Sequence, residues 1–493
     1  MLQYFRKAEI VIDYSVPEPD DSESPPFREP LHDTQADERA ARMFVNLEDV
    51  HKMYQPGPPP SPSKMRIPRK RFTRDYVIIT APELASAISS SDFLPWKEHL
   101  GYRVAVLTID DERITGQPGI DLAERIRNFL RAHYLLWNME YVLLVGDYQT
   151  VPMRYCYPDP SNHRFDPGDT SSGEVPTDAY YADLSLPDNE SWDLDGDGYH
   201  GEYEEDSPDF LPEVYVGRIP TNNRARITYT LNKLVSFEQD TGSWKNSALI
   251  AGAFWYFENE DRNGLPAYDG ATCMNAIETN LMEGWTVSRY SEQGGLVPSA
   301  YDWPALSWDA FTSDWREGEY SIVNWGAHGA QSRAARKVWS GDDGDGVPEY
   351  HEMGWPDFIG TDADLDDDHP SIYFAISCLT GYPEPYFGGR LGIDLLTEPS
   401  WGATVGSIGA TRVAYGIVGW PASPGGAESI CFEFNRHMID GPAGPERVGA
   451  ALLNAKCYCN VNFPMEHFAE NLNQFTFNLY GDPSLIREGV DTP

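Results

Sequence analysis

Cysteine is scarce in this chain, with six in 493 residues. Cys156, Cys273, Cys378, Cys431, Cys457 and Cys459 are too sparse for a disulfide scaffold, and none has metal-knuckle spacing. Cys457-Tyr-Cys459 is a lone C-x-C, read as ordinary core or disulfide cysteines. No run of about 18 apolar residues occurs, which excludes a membrane-spanning helix. Cations are few: 37 Lys and Arg stand against 77 Asp and Glu, a net charge of -40. That balance argues against nucleic acid and anionic membrane surfaces as partners. It suits calcium binding or salty surroundings, and equally a merely acidic soluble protein. The opening MLQYFRKAEIVID lacks a charged start, an apolar core of about 7–15 residues and a small-residue cleavage site, so no signal peptide is visible.

What is present is ample core material. Apolar residues make up 41% of the chain, enough for about two or three domains of ~150 residues or one large α/β domain. Residues 3–14 alternate loosely, as a strand would. Residues 15–63 are rich in Pro, Asp, Glu and Ser, and Pro56 to Pro62 forms a stiff, extended linker. A basic knot, KMRIPRKRFTR, spans Lys64 to Arg74. It reads as a solvated linker paired with the acidic body, or as a processing site that releases residues 1 to about 71.

From Asp75 onward, short buried strands alternate with helices. Strands are expected at 76–80, 103–107, 141–147 and 213–217, with helices over 83–100, from Asp121, and over 224–240. Asp121 with Glu124 reads as a capping box. The grammar repeats: strand 247–253, helix near 270–283, strand 285–290, helix near 305–315. Two strands ending at His328 and Cys378 follow, then strand 403–408 and helices over 425–440 and 444–457. Such alternation specifies a mostly parallel sheet covered by helices on both faces. Ligands of these sheets sit at the carboxyl ends of the strands.

Two such ends carry reactive side chains. Tyr320-Ser-Ile-Val-Asn-Trp-Gly-Ala-His328-Gly329 and Ser371-Ile-Tyr-Phe-Ala-Ile-Ser-Cys378 are apolar runs that close on an imidazole and a thiol. A thiolate is the nucleophile, and a nearby imidazole activates it and then protonates the leaving group. Gly329 lets a substrate approach the backbone, and the amides of Gly329 and Cys378 are candidates for an oxyanion hole. The separation, 378 - 328 = 50 residues, is close to the His-to-Cys spacing of about 50 in caspases. A lone cysteine or histidine at a strand end is more often a packing residue. The pair, at matching ends of consecutive strands, favours a nucleophilic site.

Two acidic segments look like calcium loops. Asp193-Leu-Asp195-Gly-Asp197-Gly198-Tyr199 with Glu204 matches the twelve-residue pattern at every fixed position. Its flanks do not read as helices, so it is a structural site outside an EF-hand pair. Gly341-Asp-Asp343-Gly-Asp345-Gly346-Val347 with Glu352 keeps most positions but has glycine at the first. Asp362, Asp364 and Asp366 lie near enough in sequence to complete it. His351 and His369 would suit zinc, but the oxygen ligands outnumber them and favour calcium. This insertion would brace the loop between His328 and Cys378.

The chain resembles the gingipain (C25) family of cysteine peptidases over roughly residues 75–486. The resemblance rests on YVLLVGDYQTVP (141–152), EVYVGR (213–218), WGAHG (325–329), AISC (375–378) and YGDPSL (480–485), met in the family's order. It implies a caspase-like α/β fold with calcium-binding insertions, in which His328 and Cys378 form the catalytic dyad and Gly329 and Cys378 the oxyanion hole. It also implies a secreted or surface zymogen acting on protein or peptide substrates. In arginine-specific members, acidic residues after the strand equivalent to 247–253 orient the histidine and bind arginine. Here Phe254-Trp255-Tyr256-Phe257 follows, with Glu258 and Asp269 farther on, so arginine preference is not carried over.

The expected organisation is an N-terminal pro-segment remnant and linker (1–71), a first α/β subdomain with a calcium loop (72–241) and a catalytic subdomain (242–493). The expected activity is calcium-stabilised endopeptidase action through an acyl-enzyme. The same intermediate would serve transpeptidation if an amine resolved it. A calcium-dependent binding or surface-structural protein that keeps the fold without turnover is the alternative.

Overall fold

The computed structural model describes residues 73–163, 173–184, 191–442, 444–463 and 468–490. The expected strand at 3–14, the Pro-rich linker and most of the basic knot lie outside them. Ten strands form one sheet: β1 (Tyr76–Thr80), β2 (Val104–Thr108), β3 (Tyr141–Val145), β4 (Tyr215–Ile219), β5 (Ser247–Gly252), β6 (Thr286–Ser291), β7 (Ile322–Gly326), β8 (Ser371–Ile376), β9 (Thr404–Ala410) and β10 (Phe477–Gly481). Their spatial order is β6-β5-β7-β8-β9-β10-β4-β3-β1-β2. β1, β3, β7 and β8 are buried at every position, as strands covered on both faces must be. The edge strands β2 and β6 are the more exposed, and β6, TVSRYS, is polar accordingly.

Every pairing is parallel except β9 with β10, which is antiparallel. The sheet therefore consists of two parallel blocks running in opposite directions, joined where β10 lies between β9 and β4. This is the mostly parallel, caspase-like α/β fold. The boundary between residues 72–241 and 242–493 falls within this continuous sheet, at the β4–β10 contact.

Buried ion pairs and hydrogen bonds tie the motifs EVYVGR and YGDPSL into the block formed by β1 to β4 and β10. Arg218, fully buried on β4, donates twice to the Asp178 carboxylate at 2.7 Å. Lys97, also fully buried, lies 2.7 Å from Glu238 and 2.6 Å from Asp482. Tyr76 donates its hydroxyl to Asp482 at 2.7 Å. Buried charges persist only when paired in this way, which accounts for the arginine of EVYVGR and the aspartate of YGDPSL.

Some expected elements differ. The helix over 83–100 is two helices, Ala85–Ser89 and Phe93–His99. Ser90 and Ser91 turn their hydroxyls back to the Ser86 and Ile88 carbonyls, which competes with helix continuation. Asp121 caps helix Leu122–Trp137 by accepting the Glu124 N–H, but Glu124 reaches back to Ile120, one residue before the capping residue. Helix 444–457 is displaced to Val448–Asn462, and it contains both Cys457 and Cys459, which are free thiols. Strand β10 and helix Leu391–Thr397 add to the expected elements; both are short and lack an alternating polar pattern. No described helix is long and apolar enough to cross a membrane.

Candidate active site

β7 and β8 are adjacent and parallel, with Gly326 level with Ile376. Each is followed by one residue and then the reactive side chain, so His328 and Cys378 leave the same edge of the sheet at the same height. The two turns are sewn together. Ala327 donates its N–H to the Ile376 carbonyl at 3.2 Å, and Ser377 donates its hydroxyl to the Ala327 carbonyl at 2.8 Å. The indole of Trp325 donates to Ser377 Oγ at 3.1 Å. Leu379 adopts a left-handed backbone (φ 62°), which is costly for a branched residue. It is held by its N–H bond to the Arg412 carbonyl at 2.8 Å.

The two glycines of WGAHG have separate reasons. A β-carbon on Gly326 would stand 2.9 Å from the Trp255 ring, so Gly326 makes room for that indole. A β-carbon on Gly329 would stand 2.4 Å from the Cys378 carbonyl oxygen. Gly329 and Cys378 are thus in close backbone contact.

His328 opens a short hairpin, His328–Ala330 paired with Arg333–Ala335. Its Nε2 lies 3.1 Å from the Trp255 carbonyl oxygen. A carbonyl only accepts, so Nε2 carries the hydrogen and Nδ1 carries the lone pair. Trp355 meets the imidazole edge-on at 4.9 Å between ring centres. Burial pulls His328 down to about 4; the Trp255 carbonyl opposes this, and the nearby Lys337 cation adds to it. The imidazole is neutral at pH 7.

Cys378 is half-buried, and its sulfur accepts the Ala414 N–H at 3.5 Å while the thiol faces the Ala414 carbonyl at 3.9 Å. Burial pushes the thiol up, against the Ala414 bond. Burial thus disfavours the charged form of both side chains, the Cys378 thiolate and the His328 imidazolium. Arg412 steadies the segment that carries Ala414: its guanidinium is buried and donates to the Glu384 carboxylate at 2.5 and 3.1 Å.

Neither acid considered for orienting the histidine does so. Glu258 is exposed. Asp269 accepts the Ser299 hydroxyl at 2.5 Å and the Ala271 N–H at 2.9 Å. The partner of His328 is instead a main-chain carbonyl in the aromatic run after β5, which no side-chain motif could signal. The Ala414 contact was likewise invisible, since it depends on a loop 36 residues beyond the cysteine.

In the first acidic loop Asp193, Asp195 and Asp197 bring carboxylate oxygens within 4.8 Å of one another. Asp193 accepts the Gly198 N–H, Asp195 that of Asp197, and Asp197 that of Tyr199, so the chain curls around them. Glu204, at the twelfth position, is exposed and outside this group. Asp206 is the residue that closes the loop, accepting from Leu194, Gly201 and Glu202. Three convergent carboxylates fit a hard cation.

In the second loop Asp342, Asp343 and Asp345 converge, and Asp343 also groups with Glu349, His351 and Glu352. Asp342 accepts the N–H groups of Gly344 and Gly346, as Asp193 does for Gly198. It therefore fills the role that Gly341 leaves vacant, one residue out of register. Val347 donates its N–H to Asp345 at 2.8 Å. Glu352 is tied to Trp339, Asp343 and Glu349 through both oxygens. Asp362, Asp364 and Asp366 are not part of either group.

This geometry meets a clear kinship. The model of peptidase family C25 matches residues 70–486, and the chain belongs to that family. It is a cysteine-type peptidase, a hydrolase of protein or peptide substrates. Among solved structures it is similar to the arginine-specific cysteine proteinase gingipain R (RgpB), with 18% identity and a TM-score of 0.57 over 85% of this chain and 79% of that one. It is also similar to the complex of RgpB pro- and mature domains from Porphyromonas gingivalis, with 17% identity and a TM-score of 0.55 over 83% of this chain and 79% of that one. A further protease structure aligns at 14% identity with a TM-score of 0.53 over 83% of this chain and 78% of that one. No curated protein sequence matches the chain.

Proposed function

We propose that this peptidase is an endopeptidase whose nucleophile is Cys378 and whose base is His328. The observation that carries the reading is the bond from His328 Nε2 to the Trp255 carbonyl, on a turn sewn to that of Cys378. It leaves Nδ1 as the basic nitrogen. Nδ1 takes the thiol proton as Sγ attacks the scissile carbonyl, and the Gly329 and Cys378 amides receive the oxyanion. The imidazolium then protonates the leaving amine, and the neutral base activates water to hydrolyse the thioester. Cys378→Ala abolishes peptide hydrolysis and covalent labelling by a peptide-based thiol reagent while thermal unfolding stays cooperative. Turnover by that variant at the wild-type rate would sink the assignment.

Calcium stabilisation belongs to the same proposal. Asp193, Asp195 and Asp197, with the Tyr199 carbonyl, would hold one ion. Asp343, Asp345, the Val347 carbonyl and Glu352, with Asp342 added, would hold another. The ion supplies charge neutralisation for crowded carboxylates and takes no part in the reaction. Residues 1–71 act as a removable segment released at the basic knot, and the enzyme works outside the cell. The pro-domain of the similar RgpB complex supports that reading, as does the run of cations ahead of an acidic body.

A further inference from the structure

The Trp255 carbonyl that receives His328 has a second donor. Lys337 Nζ lies 3.2 Å from the same oxygen. A carbonyl oxygen offers two lone pairs, and here His328 and Lys337 occupy them together. Lys337 is only 2% exposed, and its cation is neutralised by a short ion pair to Glu260, itself only 4% exposed. The lysine is flanked by the rings of Tyr256 at 4.9 Å and Trp355 at 5.4 Å, and Trp355 is the ring that also meets His328. The Trp255 ring is pinned between Gly326 and Tyr268, whose ring centre lies 4.6 Å away. In register, Ala335 pairs with His328 across the hairpin, and Lys337 follows two residues later on the same face.

A buried lysine with one carboxylate partner is costly to keep. Packing alone does not require the cation, because an apolar side chain would fill the same space. Its placement on the oxygen that binds the histidine is the feature that calls for explanation. A carboxylate behind a histidine fixes its ring and also favours the imidazolium. A carbonyl held by a cation fixes the ring and the Nε2–H tautomer without that second effect. The arrangement keeps Nδ1 available as a proton acceptor.

We propose that Lys337, neutralised by Glu260, is a positioning residue of the peptidase reaction: it grips the Trp255 carbonyl and through it sets the orientation and tautomer of His328. The proposal rests on the reading of His328 as the base. Lys337 touches neither substrate nor the reacting atoms, so it acts on kcat and leaves substrate affinity alone. A misplacement of about 1 Å at a base costs up to about a hundredfold in rate.

The test uses the processed enzyme and four variants. Lys337→Met removes the grip but leaves Glu260 buried and unpaired. Lys337→Met with Glu260→Gln removes both charges, so that folding is not burdened by a lone carboxylate. Lys337→Arg keeps a cation, and Cys378→Ala is the control for the dyad. The double variant is expected to unfold within a few degrees of wild type, with kcat reduced about 10- to 100-fold and KM within about twofold. Lys337→Arg recovers part of kcat. A folded double variant with kcat within twofold of wild type overturns the proposal. So does a loss that appears wholly in KM.

Nitrogen-15 spectra of histidine-labelled Cys378→Ala protein, with His328→Ala for assignment, give a reading independent of how the lysine variants fold. They are expected to show the Nε2–H tautomer at His328; an Nδ1–H tautomer refutes the grip. Should Cys378→Ala remain active, the dyad itself falls. An inactive Cys378→Ala beside fully active lysine variants removes only the role of Lys337.

Discussion

Gly329 and Cys378 touch through their backbones: a β-carbon on the glycine would sit 2.4 Å from the cysteine carbonyl oxygen and 2.8 Å from the β-carbon of Ser377. No side-chain rotation relieves a clash with a main-chain oxygen. Gly329→Ala must therefore push the histidine hairpin away from the cysteine turn. We expect about 1–3 kcal/mol of lost stability, as for other overpacked sites. The loss in kcat/KM is expected to be about a hundredfold, because the two reactive groups move apart. Thermal unfolding and steady-state kinetics on the same preparation check this. An alanine variant with activity within twofold of wild type contradicts the contact.

The protonation states give a second expectation. Burial holds the Cys378 proton to higher pH than in a free thiol, so less thiolate exists at pH 7 and alkylation by iodoacetamide is slower than for a model thiol. The rate should still be climbing above pH 8. His328, pulled down to about 4, remains a base through the whole neutral range. The acid limb of kcat/KM then lies near pH 4, well below the ordinary histidine value of 6.5. Because the folded state disfavours the protonated imidazole, this site costs stability as pH falls from 6.5 towards 4. An alkylation rate already at its plateau by pH 6 would reveal a thiolate–imidazolium pair instead.

Calcium is tested by removal. A ligand at about a hundredfold over its Kd adds about 2.7 kcal/mol per site to folding. Chelation should lower the unfolding temperature, and Asp195→Asn or Asp342→Asn should each abolish part of the calcium-dependent shift. The second variant separates the structural assignment from the sequence pattern, since the pattern gives the first ligand position to Gly341. An Asp342→Asn protein with an undiminished calcium response removes that residue from the site.

Much of this was readable in the chain. β1, β3, β7 and β8 announce themselves because strands buried on both faces must be continuously apolar, and His328 and Cys378 stand out because they end two such runs. Side-chain patterns carry that information directly. β10 escaped notice because Phe477–Gly481 is one short run whose antiparallel placement depends on distant partners. The grip on His328 escaped for another reason. Its acceptor is the carbonyl of Trp255, which every residue possesses, and its donors Lys337 and His328 meet only after a hairpin forms. The displaced role of Asp342 is hidden by one residue of slippage, because the sequence pattern puts the first fixed position at Gly341.

The reversal of strand direction at β10 has a practical consequence for handling the enzyme. The carboxyl ends of β1 to β4 lie at the edge of the sheet opposite to the one where β7 and β8 end, yet the loop that follows β3 returns to the other edge, where Tyr155 donates its hydroxyl to Glu384 at 3.0 Å. An affinity handle or fluorophore meant to stay clear of the Cys378 turn therefore avoids the segment around Tyr155.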